Sequence, residues 1–178
     1  IIKCLVPRCA NYGTNLMCPP NIISVDDFRR ALKAYNRAML IKVIASKERP
    51  NELSNENSIS EIWQITNNMN KKVETTSVVE YIKALRSGQE KLYKILSQIE
   101  SIGLRQGYNF IAGFSAGGCA LCDQCVGIHS GLSCRYPFQA RPSMEGVGID
   151  VVSTCKNVGI DLEFNKHYNS WIGLVLVD

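Results

Sequence analysis

A triple cysteine run constrains this chain more than any other feature. Cys119, Cys122 and Cys125 follow one another at two-residue spacings, and Cys134 comes after a further gap of eight residues. A disulfide between two neighbours would leave one of the three thiols over, so the run indicates metal coordination. The bacterial ferredoxin run, C-x2-C-x2-C-x3-C-P, holds a [4Fe-4S] cluster by a short loop. The first three cysteines match it, whereas the fourth is displaced and Pro137 follows three positions later.

Zinc is the main alternative, because it also takes tetrahedral thiolate sites. Zinc sites usually pair two C-x2-C knuckles across a spacer, and a triple run is less typical of them. The spacing therefore favours an iron–sulfur cluster over zinc, and either metal over none. Gly117 and Gly118 precede the run and let the backbone approach closely, so we predict that their N–H groups donate to cluster sulfurs.

A second group of three cysteines lies in the first twenty residues. Cys4, Cys9 and Cys18 are separated by gaps of four and eight residues, with turn-forming residues at 11–15 and two prolines directly after Cys18. The prolines stop any helix and force extended backbone there. This pattern predicts a ligand loop, and small buried cysteines are the alternative. Three thiols need a fourth ligand from elsewhere, or one iron position stays open.

Eight cysteines divide into two sets of four, which predicts two [4Fe-4S] clusters. In one assignment, Cys134 completes the triple run and Cys155 completes the N-terminal trio. In a second, these two exchange, as in two-cluster ferredoxins. In a third, Cys155 is a plain buried residue and one cluster lacks a protein ligand. Closed clusters favour electron transfer, whereas an open iron favours catalysis or the capture of a small ligand.

The hydrophobic pattern predicts an α/β fold in a single domain over residues 1–178, with a small sheet of about three strands, packed helices and cysteine-rich loops. Strands are predicted at 38–45, 108–114 and 170–177. Helices are predicted at 26–35 after the N-cap Ser24, and at 151–156 between the N-cap Asp150 and Gly159.

An apolar stripe from Ile59 to Leu104 predicts long helical structure between the first two strands. We expect a break at 75–77, where Ser77 is a candidate N-cap, and then either one helix or two joined near Gly88. Trp63 and Tyr81 are expected in the core. Residues 46–60 are polar and predict a loop.

Charge and hydropathy exclude several classes of protein. The formal net charge of +4 falls to about zero if two clusters with about two negative charges each are bound, so bulk charge does not predict nucleic-acid binding. No apolar run reaches the ~18–20 residues of a membrane span. Cysteines kept free for metal predict a reducing cytoplasm. No signal peptide opens the chain, and the lack of an initial methionine predicts further residues upstream.

Acid–base groups give little support for an enzyme. His129 and His167 are isolated, and we expect His129 to be a solvated loop residue rather than a donor or ligand. Glu145 and Asp150 lie near Arg141 in sequence and predict a structural ion pair and an N-cap, with a functional cluster beside the metal as the alternative.

Together, these motifs resemble an uncharacterised family of bacterial and archaeal proteins, predicted to bind metal, of unknown function and frequent in anaerobes. The resemblance covers nearly the whole chain and implies metal binding through the cysteines, without implying a reaction. It rests on Cys9-x2-Tyr12-Gly13 running to Cys18-Pro19-Pro20, on Gly118-Cys119-x2-Cys122-x2-Cys125, on Cys134-Arg135-x-Pro137, and on residues 140–145 with Gly148-Ile149-Asp150.

The function that these patterns favour is a cytoplasmic iron–sulfur protein with two [4Fe-4S] clusters that transfers electrons to or from a partner enzyme. A redox partner protein is therefore expected, and oligomerisation stays open. The first alternative is a cluster-dependent enzyme or accessory protein with an open iron site, for example in sulfur or one-carbon metabolism. The second is a zinc-stabilised interaction module.

Overall fold

The computed structural model describes residues 2–6, 8–46, 76–165 and 167–178. Within these ranges, short 3-10 turns occupy Leu32–Ala34 and Ile128–Ser130. The helices are α1 (Ile2–Leu5), α2 (Val25–Ala31), α3 (Thr76–Arg105) and α4 (Val151–Asn157), and the strands are β1 (Arg37–Ser46), β2 (Ile111–Ser115) and β3 (Tyr168–Val177). The predicted α/β fold, with its small sheet, packed helices and cysteine-rich loops, is confirmed. The helical prediction before residue 76, Trp63, and the predicted loop after Ser46 lie outside the described residues.

β3 is the central strand of an antiparallel sheet with the order β1-β3-β2. Arg37 and Ile111 both pair with Val177, so the two outer strands start opposite the same end of β3. From Asn169 to Leu176 every residue of β3 is buried, because side chains alternate between two covered faces of the sheet. One face receives α3, and the other receives α2, α4 and the chain around Met144.

Helix α3 packs on its face through an apolar stripe that includes Tyr81, as expected, together with Leu85, Leu92 and Leu96. Gly88 permits this close packing, because a Cβ there would lie 2.8 Å from Cδ1 of Trp171. Helix α3 runs through Gly88 as a single element and does not break there. None of the helices in the described ranges combines the length and the apolar character needed to cross a bilayer.

The predicted N-caps Ser24 and Asp150, on the opposite face, are confirmed, whereas Ser77 lies inside α3 rather than ahead of it. Ser24 Oγ accepts a hydrogen bond from the Asp27 N–H at 3.1 Å, and Asp150 Oδ1 accepts one from the Ser153 N–H at 3.0 Å. The packing on this face includes the edge-to-face contact of Phe28 with Phe114, whose ring centroids lie 5.2 Å apart.

Two predicted boundaries differ from the structure by three residues or more. Helix α2 ends at Ala31 rather than 35, because a 3-10 turn follows and the chain is already extended at Tyr35, just before β1. Strand β2 begins at Ile111 rather than 108. The Tyr108 N–H donates to the Gly103 carbonyl at 3.2 Å, so that residue still belongs to the turn that closes α3.

Candidate metal centre

The two cysteine loops interlock beyond the end of β2. The buried side chain of Asn15 donates from Nδ2 to the Cys119 carbonyl at 2.8 Å and accepts the Met17 N–H at Oδ1 at 3.0 Å. The Leu16 N–H points at Cys125 Sγ, 3.5 Å away. Gly118 lies so close to the N-terminal loop that a Cβ there would stand 2.5 Å from Nδ2 of Asn11. The N-terminal loop therefore forms one wall of the site around the triple cysteine run.

Successive turns shape the N-terminal loop around its three thiols. The Cys9 N–H donates to the Cys4 carbonyl at 3.0 Å, and the Cys18 N–H donates to the Asn15 carbonyl at 3.1 Å. Gly13 has a φ of 75° and donates its N–H to the Pro19 carbonyl at 2.9 Å, which closes the loop. The turn-forming residues predicted between Cys9 and Cys18 therefore fold the chain back on itself.

The three N-terminal thiols lie within electrostatic range of one another. Burial raises the pKa of Cys18 far above the ordinary thiol range, and Cys9, Cys4, Glu145 and Cys119 raise it further. Burial also raises the pKa of Cys4, with smaller contributions in the same direction from Cys9 and Glu145. These three thiols thus form one group, and Cys119 adjoins it.

A second group forms around Cys119. Burial raises the pKa of this thiol, Cys122 and Cys134 add to the rise, and a backbone hydrogen bond from Leu121 and the nearby Tyr93 hydroxyl oppose it. The Sγ of Cys134 accepts the Tyr136 N–H at 3.4 Å, and the Sγ of Cys125 faces the Leu16 N–H of the N-terminal loop. Hydrogen bonds of this kind orient metal-bound thiolates and tune their metal.

The donor chemistry of these two loops fits a thiolate-bound metal group. All eight cysteines are free thiols, and the seven outside α4 are half-buried or buried. Within the described ranges, however, no three His, Cys, Asp or Glu side chains stand in an arrangement ready for a single metal ion. The loops bring the thiols to one end of the sheet without drawing them around one point.

Cys155 lies apart from these thiols. It is fully buried on α4 in the apolar cluster that includes Ile172 and Leu174. Burial raises the pKa of this thiol, and the charge that acts on it is that of Lys42 on β1, which pairs with Glu163 at 2.9 Å. Of the eight predicted ligands, Cys155 therefore lies in the core, whereas the other seven lie on the two interlocked cysteine segments.

A polar stripe on α3 is the part of the site that sequence reasoning missed. Arg86 forms an ion pair with Asp123, inside the cysteine run. Gln89 and Tyr93 are both buried, with Gln89 donating to the Gly118 carbonyl and the Tyr93 hydroxyl lying beside Cys119. Neither Gln89 Oε1 nor the Tyr93 hydroxyl makes a well-formed hydrogen bond within the described part of the chain, although Ser115 and Cys119 are near enough to act on the tyrosine pKa. The available signal was their spacing of three and four residues, which places them on one helix face.

The structure also places the other residues that the sequence singled out, namely Arg141, Gly117 and the two histidines. Arg141 does form a structural ion pair, but with Glu100 of α3 instead of Glu145 or the N-cap Asp150. The Gly117 N–H donates to the carboxylate of Glu145, at 2.9 Å from Oε2, and not to a thiol. Both histidines, at 129 and 167, are exposed.

A family model for predicted metal-binding proteins matches residues 1–177, in agreement with the resemblance inferred from the cysteine motifs. Neither a curated protein nor a solved structure matches this chain. The match spans both cysteine loops and every element of the fold, so the chain belongs to the family of predicted metal-binding proteins called DUF2284.

Proposed function

We propose that this chain is an iron–sulfur protein that transfers electrons to or from a partner protein. The observation that supports the proposal is the interlock of the two cysteine loops, in which Asn15 bonds to the Cys119 carbonyl and the Leu16 N–H faces Cys125. Seven thiolates, three of them at ferredoxin spacing, suit [4Fe-4S] clusters better than a zinc site with four ligands.

The proposed ligand sets follow the two groups of thiols. Support for the first comes from the effects of Cys122 and Cys134 on the pKa of Cys119 and from the Leu16 N–H that faces Cys125. Support for the second comes from the shared effects on the pKa values of Cys4 and Cys18. We assign one cluster to Cys119, Cys122, Cys125 and Cys134, and the other to Cys4, Cys9 and Cys18.

When bound, such clusters supply one-electron redox couples. The chain's own residues govern how those couples behave. The N–H groups of Leu16 and Tyr136 donate toward cysteine sulfurs, and helix α3 covers the site with Gln89 and Tyr93. Hydrogen bonds and limited solvent access both set the potential of a cluster. The proximity of Cys18 to Cys119 suits electron passage between the two groups.

Anaerobic purification followed by iron, sulfide and zinc analysis tests the proposal. Two cubane clusters predict about eight irons per chain, with a visible absorption band that bleaches reversibly on reduction. The double variant Cys119→Ser/Cys122→Ser is expected to lose about half of the iron, whereas Cys155→Ser, the matched control, retains it all. A colourless protein with stoichiometric zinc would overturn the iron–sulfur assignment.

A cluster-dependent enzyme or accessory protein is the second candidate, and one observation favours it. With Cys155 in the apolar core, the N-terminal trio has no fourth thiol of its own. An iron without a fourth thiolate is a position for a small ligand. Spectral changes of the reduced cluster on addition of cyanide, used as a small probe ligand, would favour this candidate over pure electron transfer.

A further inference from the structure

The turn that carries Glu145 packs against the chain on both sides of Cys18. The Ser143 N–H donates to the Met17 carbonyl at 2.9 Å. A Cβ at Gly146 would lie 2.8 Å from Cδ of Pro19. Because Cys18 stands between Met17 and Pro19, Glu145 is held next to the N-terminal trio by contacts that do not involve its own side chain.

Hydrogen bonds fix the carboxylate of Glu145 in place but leave part of its acceptor capacity free. Its Oε2 accepts the Gly117 N–H at 2.9 Å and the Ser143 hydroxyl at 2.9 Å, while Oε1 receives only a longer share of the Gly117 N–H at 3.2 Å. A carboxylate offers about four lone-pair sites, so Oε1 keeps the capacity to bind a cation. Carboxylates that ligate metals are themselves hydrogen-bonded in this way.

The negative charge of the Glu145 carboxylate favours a cation next to it. Within the described residues it forms no salt bridge, since the neighbouring Arg141 is paired with Glu100. The Ser143–Met17 hydrogen bond and the packing of Gly146 on Pro19 place this negative charge beside Cys18. When the three thiols ionise to bind a metal, the adjacent carboxylate adds a fourth negative donor that the positive centre stabilises.

We propose that Glu145, through Oε1, is the fourth ligand of the metal group held by Cys4, Cys9 and Cys18. The identity of that group as an iron–sulfur cluster rests on the proposed function, whereas the ligand set does not. In this arrangement Glu145 takes the role that one sequence-based assignment gave to Cys155. One iron of the cluster then has a hard oxygen ligand in place of a soft thiolate, and it differs chemically from the other three.

The test uses the full chain, purified anaerobically, with the variants Glu145→Gln and Glu145→Cys. Glu145→Gln keeps the size of the side chain and weakens the ligand. It is expected to lose about one iron per chain and to gain the electron paramagnetic resonance signal of a [3Fe-4S] cluster. Glu145→Cys is expected to keep the wild-type iron content with a Mössbauer spectrum in which every iron has thiolate coordination. Glu163→Gln, which alters a carboxylate paired with Lys42, is the matched control and is expected to leave both spectra unchanged.

A second variant changes Ser143, whose hydroxyl donates to the Glu145 carboxylate, and leaves Glu145 itself intact. Ser143→Ala removes the hydrogen bond to Oε2 and is expected to weaken retention of that iron against a chelator by about ten-fold, as for other outer partners of metal ligands. Wild-type iron content, spectra and chelator resistance in both Glu145→Gln and Ser143→Ala would overturn the proposal.

The two proposals fail in distinguishable ways. If the wild-type chain contains zinc without iron or sulfide, the iron–sulfur proposal fails and the ligand set is tested with zinc alone. Zinc affinity at least about ten-fold lower in Glu145→Gln than in Glu163→Gln then supports Glu145 as a ligand. Equal zinc affinities in these two variants overturn it.

Discussion

Gln89, on helix α3, donates a hydrogen bond from Nε2 to the carbonyl oxygen of Gly118 at 2.8 Å. Gly118 directly precedes Cys119, so this bond ties the sheet-packing helix to the first thiol of the triple run. The side chain of Gln89 is 2% exposed, and water cannot readily replace the bond. The position of the cysteine run therefore depends on the packing of α3 as well as on its own loop.

Replacing Gln89 is expected to destabilise the chain. Gln89→Leu fills a similar volume but leaves the Gly118 carbonyl without its buried donor, which costs about 1–3 kcal/mol of the free energy of unfolding. Denaturant titration of the metal-free chain measures this loss. Gln98→Leu, at an exposed position of the same helix, is the control and is expected to change stability by less than about 0.5 kcal/mol. Equal effects of the two substitutions would show that the Gly118 bond contributes nothing.

Tyr93→Phe is expected to lower the reduction potential of the cluster next to Cys119. The substitution removes only the hydroxyl beside that sulfur, and the loss of a nearby O–H dipole disfavours the more negative reduced state. Stability is expected to change little, because the hydroxyl has no well-formed hydrogen bond within the described residues. A redox titration followed by electron paramagnetic resonance measures the shift. Tyr81→Phe, in the apolar cluster on the same helix, is the control, and a shift of the same size there would refute the role of Tyr93.

Cys155→Ala is expected to retain the full iron and sulfide content and the wild-type absorption spectrum. The thiol is buried among apolar side chains, so its removal costs packing, about 1 kcal/mol of the free energy of unfolding. Metal analysis and thermal unfolding of the variant check both expectations. Loss of a cluster in Cys155→Ala would instead restore this cysteine to the ligand set.

Gly88→Ala is expected to destabilise the fold by about 1–3 kcal/mol through overpacking. The added Cβ would meet the rigid Trp171 ring at 2.8 Å and the Ala45 Cβ at 2.9 Å. At Gly103 the nearest atom is the flexible end of the Ile111 side chain, so Gly103→Ala is expected to be near neutral. Thermal unfolding of the two variants compares them, and a stabilised Gly88→Ala would contradict the tight helix–sheet contact.

The metal-free chain is expected to lose stability at alkaline pH. Burial raises the pKa of Cys18 in the folded state above that of the unfolded chain, so the fold favours the neutral thiol. The resulting stability is intact below about pH 8.5, where unfolded thiols are still protonated, and it declines as the pH rises further. Urea unfolding between pH 7 and 10 measures this slope. The Cys18→Ser variant should show a shallower slope, and an identical slope would assign the effect to other groups.

Local signals predicted much of the fold. Residues close in the chain determine the three strands and the helix over Val151–Asn157, so the sequence predicted them. The same holds for the N-caps Ser24 and Asp150. The ends at Ala31 and Ile111 were misplaced because turns compete with regular structure there. Whether Gly88 broke the helix was open, since its role is set by Trp171, far along the chain.

The candidate site was less predictable, because spacing identifies thiols without showing which way they face. Asn15 and Cys119 are 104 residues apart, and Arg141 and Glu100 are 41 apart, so only tertiary packing brings these pairs together. The burial of Cys155 depends likewise on the face of α4 that meets β3. The sequence does not single out Gln89 and Tyr93, because polar side chains on a helix are usually exposed to solvent.

The central position of β3 has a consequence for biosynthesis. β1 and β2 pair only with β3 in the described sheet, and β3 follows both of them and both cysteine loops in the chain. During translation, all the loop thiols therefore leave the ribosome before the strand that joins the two outer strands exists, an interval of roughly seconds at ordinary synthesis rates. We therefore expect the nascent chain to carry its thiols without the completed sheet through that interval, which makes the unfinished chain the form most exposed to oxidants.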